Sequence, residues 1–430
     1  MDSSKTASDI ELITRLQRGA FSYLIDFANT SNGLVADTSR PMSPCSIAVV
    51  GFALSCYPVG AERGWISRAE AAKRTFTTLR FFMESPQSED ADATGYKGFY
   101  YHFLDMRSGR RVWECELSII DTSLLIAGVL TAARYFDGIG IEADIRDLAD
   151  AMYRRIDWRW AQEGGETVAQ GWKPGWGFLH YGWEGYNEAT LLYVLGLGSP
   201  TYPLRDNAFA GWTTTYQWEN MLGQNLLYSG PLFTHFFSHA WIDFRGIRDA
   251  FMREKESDYF QNTVRAIAAQ REYSARNPCE FVGYGRNFWG ITAGDGPTGE
   301  EMETHYRDRR FFGYMSRGIP FGPDDGTISP WAMLAALPFD AEAALAGTRH
   351  LLARYPQVCN NDRFSSGFNP TLVNNGQAWL SEGWYGLDQG LLVMMIDNAQ
   401  QGLIWKLTRG CPYLRDGLRR AGFTGGWLTS

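Results

Sequence analysis

Four carboxylates stand where a chain could use them to act on a polar substrate: Glu188, Asp388, Asp121 and Glu116. Asp388 ends a loop rich in Trp, Asn and Gly (TLVNNGQAWLSEGWYGLD) and opens an apolar run with helical period. Glu188 follows Asn187, a good N-cap residue, in GYNEATLLYVLGLG. Asp121 lies three residues after Ser118 in CELSIIDTSLLIAGVL, which also carries Glu116. Acids are favoured in a first helical turn simply because they meet the positive end of the macrodipole. Three such places, each beside an aromatic or polar loop, point further, to carbohydrate cleavage. That reaction needs one protonated acid and one ionised base or nucleophile. A helix N-terminus favours the ionised form and suits the base, whereas the acid needs apolar burial or a like charge nearby. Trp183, Glu184 and Tyr186 flank Glu188 and could supply both, while Glu382 and Trp384 flank Asp388. On spacing alone, Glu184 and Glu382 could exchange places with Glu188 and Asp388.

Other polar and aromatic groups fit a sugar pocket. Tyr101 and His102 lie in GYKGFYYHFLDMRSG (residues 95–109), which reads as a hairpin with alternating aromatics. GRNFWGITAGDGP (residues 285–297) has glycines but neither phosphate-loop spacing, so Asn287, Trp289 and Asp295 read as a stacking ring beside hydrogen-bonding partners. A Gly-rich structural turn is the plainer account of that segment. His235, His239 and Asp243 are spaced i, i+4, i+8 in PLFTHFFSHAWIDFRGIRD. On one helix they would share a face, a weak metal pattern. The expectation is no metal and no cofactor, with His235, His239 and Trp241 contacting or supporting a bound sugar.

The elements that must hold these groups are helices. Apolar periodicity places them at 8–28, 46–58, 67–84, 118–136, 142–156, 187–197, 232–242, 247–274, 329–337, 340–354, 387–409 and 412–421. Ser67 with Glu70 reads as a capping box. The segments between, 86–114, 158–186, 198–230, 276–328 and 355–386, are long, Gly-rich and Trp-rich, too aromatic for disorder and so functional. Strand signals are weak, and no linker or strict repeat appears. A dozen helices with crowded loops suggest a single α/α toroid over residues 1–430, its inner helices pointing into a shared crater.

Composition narrows the partners. A net charge of −8 argues against nucleic acid and anionic membranes. The 16 Trp, 21 Tyr and 26 Phe are enough both to fill a core and to stack on sugar rings. The six cysteines form no CxxC pair, which argues against a zinc knuckle and for buried free thiols. The N-terminus has no apolar h-region, so the expected compartment is cytoplasmic if the chain is complete and periplasmic if an export signal was removed. Oligomeric state is left open.

The chain resembles the bacterial glycoamylase-like proteins, the group containing the β-1,2-glucanases of glycoside hydrolase family 144. The likeness runs in order through GLVADTSR (33–40), GYKGFYYHFLD (95–105), CELSIIDTSLLIAGVL (115–130) and GYNEATLLYVLGLGSP (185–200). It continues through PLFTHFFSHAWIDFRGIRD (231–249), YGRNFWGITAGDGP (284–297) and GLDQGLLVMMIDNAQQGLIWKL (386–407). The resemblance implies an (α/α)6 barrel that hydrolyses β-1,2-glucan with inversion. It implies Glu188 as acid, Asp388 as base, and Glu116 and Asp121 as further required acids. Two other classes stay open: a glucan transglycosylase like the cyclisation domain of cyclic glucan synthases, and a non-catalytic glycan-binding protein.

Overall fold

Helices that are apolar around their whole circumference have nowhere to sit but inside, and helices with one polar face must cover them. The computed structural model describes residues 3–298 and 310–429, so residues 299–309 of the expected loop 276–328 lie outside the described residues. In chain order the helices are α1 (Ser3–Asp26), α2 (Ile47–Glu62), α3 (Arg68–Glu84), α4 (Ile119–Tyr135) and α5 (Ile141–Arg154). They continue as α6 (Thr190–Gly198), α7 (Ala208–Thr213), α8 (Leu232–Trp241), α9 (Ala250–Glu254) and α10 (Tyr259–Arg276). The last are α11 (Trp331–Ala335), α12 (Ala341–Arg354), α13 (Gly386–Gln400), α14 (Leu403–Arg409) and α15 (Pro412–Arg420).

The two kinds separate cleanly. Nearly every residue of α2, α4 and α6, and most of α13, is buried. On α3, α5, α10 and α12 only one face is buried. The buried helices touch one another: α2 meets α4 and α13, α4 meets α6, and α13 meets α11 and α8. The amphipathic ones back them, with α3 and α5 against α2 and α4, α10 against α8, α12 against α11, α1 against α13 and α15 against α6.

Glycine makes the tightest of these crossings possible. A Cβ on Gly128 of α4 would sit 2.0 Å from the Gly51 carbonyl oxygen of α2, and one on Gly51 would sit 2.3 Å from the Leu124 carbonyl oxygen. The two backbones therefore approach closer than any side chain allows.

Two expected helices are each broken in two. The run 247–274 stops at Glu254 and restarts at Tyr259, because Asp258 caps a new helix by accepting from the Gln261 N–H at 2.8 Å. The run 387–409 stops at Gln400, and Gly402, at φ +65°, ends it in the left-handed region. The helix expected from 187 begins only at Thr190, and α7 had no periodic signal long enough to show. Strands are more frequent than their weak signal implies. They are two to seven residues long, mostly too short for alternation to register. All pair antiparallel, and five form one sheet in the order Gly95–Tyr96, Phe99–Tyr101, Leu117–Ser118, Gly171–Lys173, Gly177–Phe178. All six cysteines are free, and Cys45, Cys56, Cys115 and Cys411 are buried.

Candidate active site

The sheet feeds directly into helix α4. Ser118 ends a strand and caps the helix: its Oγ accepts from the Asp121 N–H at 3.2 Å and donates to the Asp121 carboxylate. Asp121 is thereby fixed at the helix mouth. Glu116 precedes the same strand, and its Oε1 lies 2.8 Å from His102 Nδ1 on the neighbouring strand segment. Glu188 sits in the turn before α6. Its carbonyl accepts from Ser238 Oγ of α8 at 2.9 Å, and the Asn187 side chain accepts from the Ala189 N–H at 2.9 Å. Asn187 thus shapes a local turn instead of capping the helix. Asp388 lies in the first turn of α13, whose Gly386 N–H donates to the Asp37 carbonyl at 2.7 Å.

These side chains meet. A cavity of about 380 Å³ is lined by Glu116, Asp121, Glu188 and Asp388 together with His102, Trp183 and Tyr314, and by the apolar Phe233, Phe237 and Trp331. All four sequence-selected acids face one space, although they come from three separate stretches of chain.

Their protonation is set unequally. Burial pushes Glu188 up to about 7, and the Asp121 charge adds to it. Burial also raises Asp388 well above the carboxylate range, helped by Asp37 and Asp295 and opposed by Ser366 and Trp331. Its Oδ2 is buried without a hydrogen-bond partner. This corrects the expectation that the helix N-terminus would hold Asp388 low: desolvation outweighs it. Burial works against a charged His102, but Asp121, the hydrogen bond to Glu116 and Asp37 outweigh it and lift the ring to about 9. Burial would raise Glu116 too, but the His102 bond and charge hold it below its ordinary value.

His102, Glu116 and Asp121 offer ligand atoms within 4.8 Å of one another, the one group among the described residues that could hold a metal. With its value lifted to about 9, a protonated His102 could itself balance the two carboxylates. His235 and His239 are not part of such a group. Both are buried, and burial lowers them to about 4 and about 3. His235 Nε2 lies 3.1 Å from the Ser229 carbonyl, and His239 Nε2 lies 3.1 Å from Thr263 Oγ1. Helix α8 ends before Asp243, which pairs with Arg245 and Arg409 instead.

Several expected sugar contacts belong to the core. Tyr101 points away from His102, as strand alternation requires, and lies fully buried under Arg111. Trp241 donates to Ser55 Oγ at 2.9 Å between α8 and α2, and Trp289 is fully buried near Gly347 of α12. Tyr186 packs on Tyr216, Tyr259 and His235. Trp384 lies under Arg363, 4.9 Å from its ring centre. Asn287 is exposed on an outer turn, and Glu382 is exposed with its carbonyl bonded to Arg40. Glu184 is exposed beside Thr167. Asp295 is buried behind the cavity, bonded to Ser381 Oγ at 2.7 Å and paired with Arg40. The reading by sequence missed Asp37, whose charge is felt at both His102 and Asp388. It also missed Tyr314, Phe233, Phe237 and Trp331. Asp37 was a lone acid in a loop, with no helix start to mark it.

Residues 180–412 match the glycoamylase family model, described as "Putative glucoamylase". An exo β-1,2-glucooligosaccharide sophorohydrolase (non-reducing end) of Parabacteroides distasonis is 24% identical over 450 residues. That match covers 96% of this chain but spans only 58% of the length of the curated relative. A solved Bacteroides uniformis protein of the same description as the family has a TM-score of 0.86 at 28% identity, covering 97% of this chain and 98% of its own. An endo-β-1,2-glucanase from Chitinophaga pinensis, solved with sophorotriose and glucose, has a TM-score of 0.85 at 24% identity, covering 97% and 99%, a likeness of fold. With more than half of its length matched by the family model, the chain belongs to the glycoamylase family.

Proposed function

We propose that this protein is a glycoside hydrolase that cleaves β-1,2-linked glucan and releases short gluco-oligosaccharides, with inversion at the anomeric carbon. The observation that carries the reading is the convergence of four carboxyl groups in one aromatic-walled cavity, one of them poised at about 7. Glu188 is the proton donor: it holds its proton near neutral pH and gives it to the glycosidic oxygen as the C–O bond breaks. Asp388 is the base. Its high proton affinity makes it a strong acceptor once ionised, and from the cavity wall it takes a proton from a water whose oxygen attacks carbon. The Glu116–His102–Asp121 row is a fixed line of charge suited to gripping sugar hydroxyls. The acts of the similar proteins, a sophorohydrolase and a β-1,2-glucanase, support the choice of linkage.

We infer also that α2, α4, α6, α8, α11 and α13 close into the inner ring of an (α/α)6 toroid over one domain. The run of contacts from α11 through α13, α2 and α4 to α6 supports this. Ser238 of α8 meets the start of α6 at the Leu191 N–H and the turn before it at the Glu188 carbonyl, which supports closure between those two helices. The function is tested by product analysis on β-1,2-, β-1,3-, β-1,4- and α-1,4-glucans. Short oligosaccharides from the β-1,2 polymer alone are expected. Cleavage of maltodextrin with no action on β-1,2-glucan overturns the reading.

A further inference from the structure

A second, larger hollow adjoins the carboxylate cavity. Its volume is about 670 Å³, and its walls include Trp113, Trp176, Lys173 and His180. Leu179 lines both spaces. Two further observations join them. Trp113 packs on Phe103 (5.2 Å between ring centres), and Phe103 stacks on His102 at 4.0 Å and 11°, so one aromatic row runs from the outer hollow to the inner acids. Glu116 feels His102 on the cavity side and Lys173 on the hollow side.

The hollow is built on the edge of the five-stranded sheet. The last two strands, Gly171–Lys173 and Gly177–Phe178, form a hairpin whose tip carries Trp176. Trp176 is 88% exposed and Trp113 69% exposed. These are not scattered single rings, since both line the one hollow. Indoles interleaved with a few polar groups match a neutral polyol, whose ring faces are apolar and whose edges are hydroxyl-lined.

We propose that this hollow binds the outer glucosyl residues of the same β-linked glucan whose scissile bond lies at Glu188 and Asp388, with Trp113 and Trp176 as stacking platforms. The proposal rests on the glycosidase reading and adds that the enzyme favours long chains over short ones.

The experiment compares the wild type, Trp113→Ala, Trp176→Ala and the double variant on β-1,2-gluco-oligosaccharides of increasing length. Both rings are exposed, so melting temperatures are expected to hold. The ratio of kcat/KM on the longest to that on the shortest substrate should fall roughly tenfold in the double variant. Tyr202→Ala, which removes an exposed ring outside both spaces, should leave that ratio as it is. An active wild type whose ratio survives the double substitution overturns the groove and leaves the hydrolase reading intact. A wild type inactive on every β-1,2-glucan overturns the hydrolase reading instead. Calorimetric titration of wild type and double variant with β-1,2-, β-1,3- and β-1,4-gluco-oligosaccharides then decides the groove. Binding lost with the two rings supports it, and equal or absent binding in both proteins ends it.

Discussion

Glu188 serves two opposed ends. A carboxyl that keeps its proton to about 7 is useful to catalysis, but it costs the fold. The unfolded side chain ionises near 4.3, so below about pH 4 both states are protonated and nothing is lost. As pH rises from there to about 7, the unfolded state gives up its proton first, and stability falls. Glu188→Gln removes that cost along with the proton. The variant should melt with the wild type near pH 4 and above it at pH 7, while its kcat drops by roughly 10²–10⁴-fold. Melting scans and turnover on the same sample check this, and a variant that melts lower at pH 7 would mean that Glu188 is structural. The wild type's kcat/KM should decline as pH rises through about 7, where the acid is lost. Asp388→Asn should likewise lower kcat by orders of magnitude with the fold kept. If an imidazolium at His102 balances Glu116 and Asp121, exhaustive chelation should leave activity undiminished. A loss restored by a divalent ion would assign His102, Glu116 and Asp121 to a metal instead. At this scale the sequence was readable where a side chain stands at an element's mouth: that mark singled out Glu188, Asp388 and Asp121, which line one cavity. Tyr101, Trp241 and Trp289 were misread because an aromatic beside polar residues looks the same whether its ring faces a sugar or the core. Only strand alternation and packing decide which way it points.

Elements were legible by period and blurred by their ends. Helices α3, α4 and α12 lie where periodicity and capping placed them, since Ser67, Ser118 and Asp340 each accept from the third residue on. The two long runs that broke carried their own stop signals, Asp258 and Gly402, which an unbroken apolar pattern concealed. The sheet that presents His102 and Glu116 was almost invisible, because its order joins strands from residue 95 to residue 178. Its first pair, Gly95–Tyr96 with Phe99–Tyr101, lies in the expected hairpin at 95–109, but local sequence says nothing of the distant pairings with Leu117–Ser118 and Gly171–Lys173. A sharper test of the architecture lies in the α2–α4 crossing. Gly128→Ala would place a methyl 2.0 Å from a backbone oxygen that has no side chain to move aside. Overpacking of this kind costs about 1–3 kcal/mol, and here the clash is with main chain, so the upper end is expected. Urea unfolding should show a lowered midpoint with an unchanged slope, and an unshifted midpoint would mean that the helices stand further apart.

On the scale of the molecule, the proposed acid and base stand roughly 200 positions apart in sequence, in the turn before α6 and in the first turn of α13, and both line one cavity. If the reaction inverts as proposed, a water attacks from the base side, and the first product of β-1,2-glucan should carry the α configuration. Proton NMR taken before mutarotation reads this directly, and a β-anomer appearing first would make Asp388 or a neighbour a nucleophile. Helical composition and an aromatic, acidic surface chemistry could be read from the chain; the pairing of its far ends could not. That pairing reaches into how the protein is made. The first helix buries Ile13, Leu16, Phe21 and Leu24, and Gln17 donates to the Val393 carbonyl, 376 residues further on. A ribosome adding about 5–20 residues per second leaves that apolar stripe without its final partner for roughly 20–75 s. Of the described helices, α1 therefore emerges first and is among the last to be covered. During that interval its apolar stripe is open to other contacts, a hazard that a circular permutant joining α1 directly to α13 would shorten.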